Sequence, residues 1–202
     1  MLKIFLTICL VCMTTFISSC SAGVSGLQSY VNTAQGYEFL YPNGGLPVTV
    51  KNASSGVDLV YRDLVERSEN LSVIISEVPE DIKLEDLGSP TDVGYRFLKA
   101  VNKKPENQKE TDFISAEARE GKDKNYYILE YEVESPEEPT RHNIASVAVS
   151  RGKLFTFNLS TTERRWSSVK DTFEIAAKSF TCLLYTSPSP RDRTRSRMPS
   201  SA

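Results

Sequence analysis

Any chemistry this chain performs must be built from one histidine, four cysteines and 26 carboxylates. His142 stands in Thr140-Arg141-His142-Asn143, just beyond an acidic loop carrying Glu134, Glu137 and Glu138. Imidazole beside carboxylates suits zinc or manganese, so His142 with nearby carboxylates is a candidate metal site; the competing reading is a structural or surface histidine. A second acidic loop, with Glu77, Glu80, Asp81, Glu85 and Asp86, reads as solvated charge. It could hold a hard cation such as calcium, but nothing in it follows the spacing of an EF-hand. A hydrolase would need a nucleophile paired with His142, and no Gly-x-Ser-x-Gly elbow marks one. Nor is there a glycine-rich phosphate loop. The residues point to binding rather than catalysis.

The cysteines lead away from the domain. Lys3 is followed by an apolar run from Ile4 to Ile17, a short charged region and hydrophobic region of the kind found in export signals. It is too short for a spanning helix, which takes roughly 20 apolar residues. Ile17-Ser18-Ser19-Cys20 then reads as a bacterial lipobox. Residues 1–19 are therefore expected to be a cleaved lipoprotein signal, with Cys20 lipidated. Residues 20–32, containing Ser21, Gly23, Ser25 and Gly26, are expected to form the lipidated N-terminus and a flexible spacer. Cys9 and Cys12 fall inside the signal.

Cys182 opens a stretch of different character, Cys-Leu-Leu-Tyr-Thr-Ser-Pro-Ser-Pro-Arg-Asp, followed by an Arg, Ser and Pro tail. Residues 182–192 coincide, in one reading frame, with the translation of a transposase sequencing adapter. Residues 182–202 are accordingly read as translated adapter sequence and set outside a domain spanning 33–181. No thiol then remains in that domain for a disulfide, a thiolate metal site or a nucleophile.

Setting both ends aside also changes the charge. The 24 cations lose Lys3, Arg191, Arg193, Arg195 and Arg197, and the 26 anions lose Asp192, leaving 19 against 25 and a domain about six charges negative. Nucleic acid is excluded as a partner for so acidic a surface, and anionic headgroups are disfavoured too. The lipid on Cys20 would be its attachment to membrane.

The elements that must hold His142 follow from periodicity. Strands are predicted over 37–41, 46–50, 57–61, 70–76, 113–119, 126–133, 143–150 and 154–159. Leu71, Val73 and Ile75 share one face; so do Tyr127, Leu129, Tyr131 and Val133, with Glu130 and Glu132 opposite. Ala145, Val147 and Val149 oppose Ser146 and Ser150, and Phe155, Phe157 and Leu159 share a face across the turn Arg151-Gly152-Lys153. A helix is predicted from Asp92 to Val101, capped by Thr91 or Asp92, and another from about Glu163 to Ser179, capped by Thr161 or Thr162. The second carries Trp166, Val169, Phe173, Ala176, Ala177 and Phe180 at helical spacing, a core-facing stripe. Many strands with short connections and two separated helices predict an α+β sandwich on an antiparallel sheet.

In order along the chain, Gly36-Tyr37-Glu38-Phe39-Leu40-Tyr41-Pro42-Asn43-Gly44, Val93-Gly94-Tyr95-Arg96, Tyr126-Tyr127-Ile128-Leu129-Glu130-Tyr131, Arg141-His142-Asn143 and Arg151-Gly152-Lys153-Leu154-Phe155-Thr156-Phe157-Asn158 resemble the PsbP family, and most of all its cyanobacterial lipoprotein branch. The family's usual Tyr-Pro-Asn-Gly-Trp reads Gly45 here in place of the Trp. The resemblance implies an αβα sandwich with a central antiparallel β-sheet flanked by helices, of PsbP/Mog1 type. It also implies a non-enzymatic, monomeric domain on the lumenal side of the thylakoid membrane, associated with photosystem II lumenal subunits near the oxygen-evolving side. Some members bind divalent metals, which leaves calcium, zinc and manganese as expected cations and His142 as the residue to test. No other cofactor is implied.

Overall fold

The computed structural model describes residues 26–48, 56–63, 66–102 and 109–183. Cys20 and the expected signal over 1–19 lie outside the described residues, as does the tail beyond Leu183. Among the described residues, ten strands and two helices follow in the order β1 (Leu27–Asn32), β2 (Tyr37–Pro42), β3 (Gly45–Pro47), β4 (Val57–Asp63), β5 (Asn70–Glu77), α1 (Pro90–Asn102), β6 (Glu110–Glu120), β7 (Asn125–Ser135), β8 (Glu138–Ser150), β9 (Lys153–Thr162), α2 (Glu163–Ser179) and β10 (Thr181–Cys182). Seven strands form one antiparallel sheet in the order β3-β4-β5-β9-β8-β7-β6, and β1-β2-β10 form a second, smaller one.

Period-two alternation puts apolar residues on both faces of the large sheet. On one face Leu71, Val73, Phe155, Phe157 and Leu159 pack against Phe173, Ala176, Ala177 and Phe180 of the α2 segment and against Tyr37 and Phe39 of the small sheet. On the other, Tyr127, Leu129, Val147 and Val149 meet Val93 of α1 and the buried Leu84 of a 3-10 turn, while Tyr131 and Ala145 meet Leu98. This is the expected αβα sandwich, with the small sheet sharing the α2 layer. Glycine is required where α1 crosses β6: a Cβ on Gly94 would lie 2.6 Å from the ring of Phe113.

The tight β8–β9 hairpin places both Arg151 (φ 53°) and Gly152 (φ 66°) in the left-handed region that a two-residue primed turn demands. Glycine takes that conformation freely; Arg151 carries the strain of a side chain there.

Three expectations need correction. Residues 27–32 are not spacer: they form β1, because Tyr30 packs on Tyr37, Phe39 and Tyr61 and so ties the segment to the aromatic core. Cys182 is not outside the fold: it pairs with Tyr37 in β10, and its side chain is buried. The cap of α1 is Ser89 rather than Thr91 or Asp92, in a reciprocal box where Asp92 N–H donates to the Ser89 hydroxyl and Ser89 N–H to the Asp92 carboxylate, with Pro90 first in the helix. At α2 the backbone places Thr162 as N-cap, yet its side chain makes no capping hydrogen bond.

Candidate functional site

Antiparallel register assembles the site. On β8, His142 faces Glu132 of β7 on one side and Thr161 of β9 on the other. Glu130, two residues before Glu132, lies on the same sheet face. The chain leaves β9 at Thr162 and enters α2 at Glu163, bringing a third carboxylate to the same spot. Trp166, three residues further and therefore on the same side of the helix, lies over the imidazole.

His142 is buried, only 3% exposed. Its Nε2 is 2.9 Å from Glu130 Oε1, and its Nδ1 is 2.5 Å from Glu163 Oε2 and 3.7 Å from Glu132 Oε1. The other oxygen of Glu130 accepts from the Ser115 hydroxyl across β6 and β7, at 3.3 Å. The indole of Trp166 stacks on the imidazole, centroids 3.8 Å apart. Burial, reinforced by Glu163, raises the carboxyl of Glu132 above the ordinary glutamate range, with His142 opposing.

The arrangement has a clear charge logic. Ionised carboxylates only accept hydrogen bonds, so both ring nitrogens can be satisfied as N–H donors only in the doubly protonated ring. Even then, three carboxylates face one positive charge. A cation replacing the Nδ1 proton would supply more charge compensation. The ligand atoms of Glu132, His142 and Glu163 all lie within 4.8 Å of one another. One imidazole nitrogen with two carboxylate oxygens suits zinc or manganese; calcium takes six to eight oxygens, and three protein ligands supply too few. Zinc at about 2.1 Å from each ligand sets tetrahedral edges of about 3.4 Å, so Glu163 must move roughly 1 Å away from Nδ1. Its side chain is 45% exposed and on the rim, which leaves room for that. Neither ring nitrogen faces a hydroxyl, so His142 is not placed to activate a serine.

The candidate from sequence thus gains named partners. Glu130 and Glu132 were legible as the polar face of β7 but not as partners of His142, and Glu163 as a helix start only. Trp166 is core, 7% exposed, and contacts His142 as well. In the acidic loop at 77–86, Asp86 accepts the Lys83 N–H and Glu85 accepts from Asn125 of β7. Gly45 lies at the edge of an apolar notch lined by Tyr41, Tyr61, Leu71, Leu159 and Phe173.

A seven-stranded antiparallel sheet between a helix on one face and a helix with a small sheet on the other defines an αβα sandwich class that extends well beyond close relatives. The yeast Ran-binding protein Mog1p shares it at 7% identity, with a TM-score of 0.53 over 78% of this chain and 95% of that one. Within the class, the PsbP family model matches residues 25–182, and the chain belongs to the PsbP family. It is 51% identical over 185 residues to CyanoP from Synechocystis, covering 89% of this chain and 98% of that protein. The solution structure of that cyanobacterial PsbP superposes with a TM-score of 0.68 at 53% identity, over 82% of this chain and 98% of the other.

Proposed function

We propose that this chain is a non-catalytic accessory protein of photosystem II, held at the lumenal thylakoid surface by lipid on Cys20, where it assists assembly or stabilisation and the retention of calcium and chloride. The observation that carries the reading is family membership across the whole folded unit, residues 25–182. Two features support it. The acidic domain has little intrinsic affinity for anionic lipid, so a lipid tether gives it a reason to reside there. Confinement to the membrane plane raises its effective concentration near an embedded partner, so modest contacts suffice. The buried His142 also has both nitrogens committed to carboxylates, which argues against acid–base catalysis.

Crosslinking in native thylakoids, followed by identification of the attached subunits, tests the assignment. The expected products join this chain to lumenal subunits of photosystem II; products confined to other complexes overturn it. The Cys20→Ser variant should fold normally and leave the membrane fraction, and retention on washed membranes would refute the tether.

The convergence of Glu132, His142 and Glu163 favours a second reading, in which the domain binds or delivers a divalent transition-metal ion. Calorimetry with zinc, manganese and calcium chlorides on the wild type and on His142→Ala decides it. Saturable heat from zinc or manganese that vanishes in the variant is expected, and unchanged binding excludes this site.

A further inference from the structure

We propose that Glu130 is a positioning residue that selects the ligating nitrogen of His142: it accepts the Nε2 proton and so turns the Nδ1 lone pair toward a metal ion held with Glu132 and Glu163. The inference rests on the metal-binding reading and adds to it which nitrogen binds and what orients it. Glu130 lies on the opposite side of the ring from the Glu132–Glu163 pair, at 2.9 Å from Nε2, so it cannot share an ion with Nδ1. Its carboxylate is itself held, because the Ser115 hydroxyl donates to its other oxygen at 3.3 Å, and its side chain is only 18% exposed. Trp166, stacked on the ring with planes 14° apart, fixes the imidazole plane. Ser115, Glu130 and His142 thus form a relay ending at the open side of the cluster. A carboxylate behind a ligating histidine fixes its tautomer and raises its basicity.

The test uses the full folded domain and zinc chloride, comparing wild type with Glu130→Gln and Ser115→Ala. Calorimetry should show the affinity falling about 10- to 100-fold in Glu130→Gln and by a smaller factor in Ser115→Ala, where the carboxylate remains but its orienting donor is gone. Nitrogen-15 spectra of the imidazole supply a readout that a merely structural role would not move: zinc-loaded wild type should show Nε2 protonated and Nδ1 metal-bound, with that pattern weakened or mixed in Glu130→Gln. Zinc bound as tightly by Glu130→Gln with the same tautomer overturns the proposal. Zinc bound through Nε2 in the wild type overturns it too, making Glu130 a ligand. A wild type that binds no zinc removes the metal reading itself, a result distinct from both. Ser115→Ala keeps the test decisive if Glu130→Gln fails to fold.

Discussion

Trp166, the only tryptophan of the chain, lies flat on His142, with ring centroids 3.8 Å apart and planes 14° from parallel. The stack joins the hydrophobic core to the charged cluster, because the same indole meets Phe173 edge-on at 6.3 Å. A change at the imidazole is therefore felt by a single fluorophore.

Emission from Trp166 should follow occupation of the cluster. Adding zinc chloride to the folded domain should change its intensity saturably, and His142→Ala should abolish the response. The same variant leaves Glu130 and Glu163 facing one another without their shared donor and opens a void beneath the indole. Glu163 is 45% exposed and Glu130 keeps the Ser115 hydroxyl, so the cost comes mainly from the void beneath the indole, and thermal unfolding should shift down by a few degrees. A flat titration alongside calorimetric binding would place the ion elsewhere.

Glu132 makes stability pH-dependent in a known direction. Its folded carboxyl is raised above the unfolded value, chiefly by burial and next by Glu163. The native state therefore binds the proton more tightly than the unfolded state. Its contribution is most favourable below the unfolded value and is lost as pH rises through the folded one. Glu132→Gln, neutral at every pH, should accordingly raise the melting temperature slightly near neutrality, the gain fading as both chains are taken to acid. Melting curves from pH 3 to 8 without metal measure it; a variant less stable at pH 7 would mean that attraction to His142 outweighs burial.

Much of the fold was legible because it depends on local periodicity: Phe155, Phe157 and Leu159 alternate, and Trp166, Phe173 and Ala177 recur at helical spacing. What escaped depends on pairing between distant segments. β1 carries only a weak alternation, and it is a strand because Tyr30 meets aromatic rings from β2 and β4. Cys182 begins a stretch whose composition looks foreign, yet its backbone completes the small sheet. The site shows the same division. His142 stood out as the sole imidazole, whereas its carboxylates became visible only when the β7–β8 register and the entry into α2 were known.

That C-terminal edge gives a third prediction. Arg119 donates to the Phe180 carbonyl at 2.7 Å while lying 4.0 Å over the Tyr126 ring, and the Tyr126 hydroxyl accepts from the Cys182 N–H at 3.1 Å. A chain ending at Thr181 loses Cys182 and its pairing with Tyr37, and should melt below one ending at Leu183, whose N–H donates to the Gly36 carbonyl. Arg119→Met keeps the aliphatic contact but strands the buried Phe180 carbonyl, a loss of about 1–3 kcal/mol. Equal melting temperatures for the two truncated chains would show that β10 adds nothing to stability.

Gly45 offers the remaining test, since it is where this chain departs from the family's usual tryptophan. A Cβ built there meets the rings of Tyr41 and Tyr61 at 3.5 Å, ordinary contact distance, so a side chain is sterically admissible. Tyr41 and Tyr61 already touch, centroids 4.9 Å apart, and the adjoining notch reaches Leu71, Leu159 and Phe173. Among the described residues β3 is an edge strand of the large sheet and pairs only with β4, so no described strand stands in the way of a large residue on its open side. Gly45→Trp should bury apolar surface against both tyrosines at about 25 cal/mol per Å² and also remove glycine's excess freedom in the unfolded chain. Burying some 40 Å² would then give about 1 kcal/mol, or roughly 2–4 °C in melting temperature for a domain of this size. Scanning calorimetry of Gly45→Trp beside Gly45→Ala separates the two terms: the alanine variant reports the backbone effect, and the excess in the tryptophan variant reports filling of the notch. A tryptophan variant no more stable than the alanine one would mean that the indole stays in solvent, and the notch is then not the ring's seat.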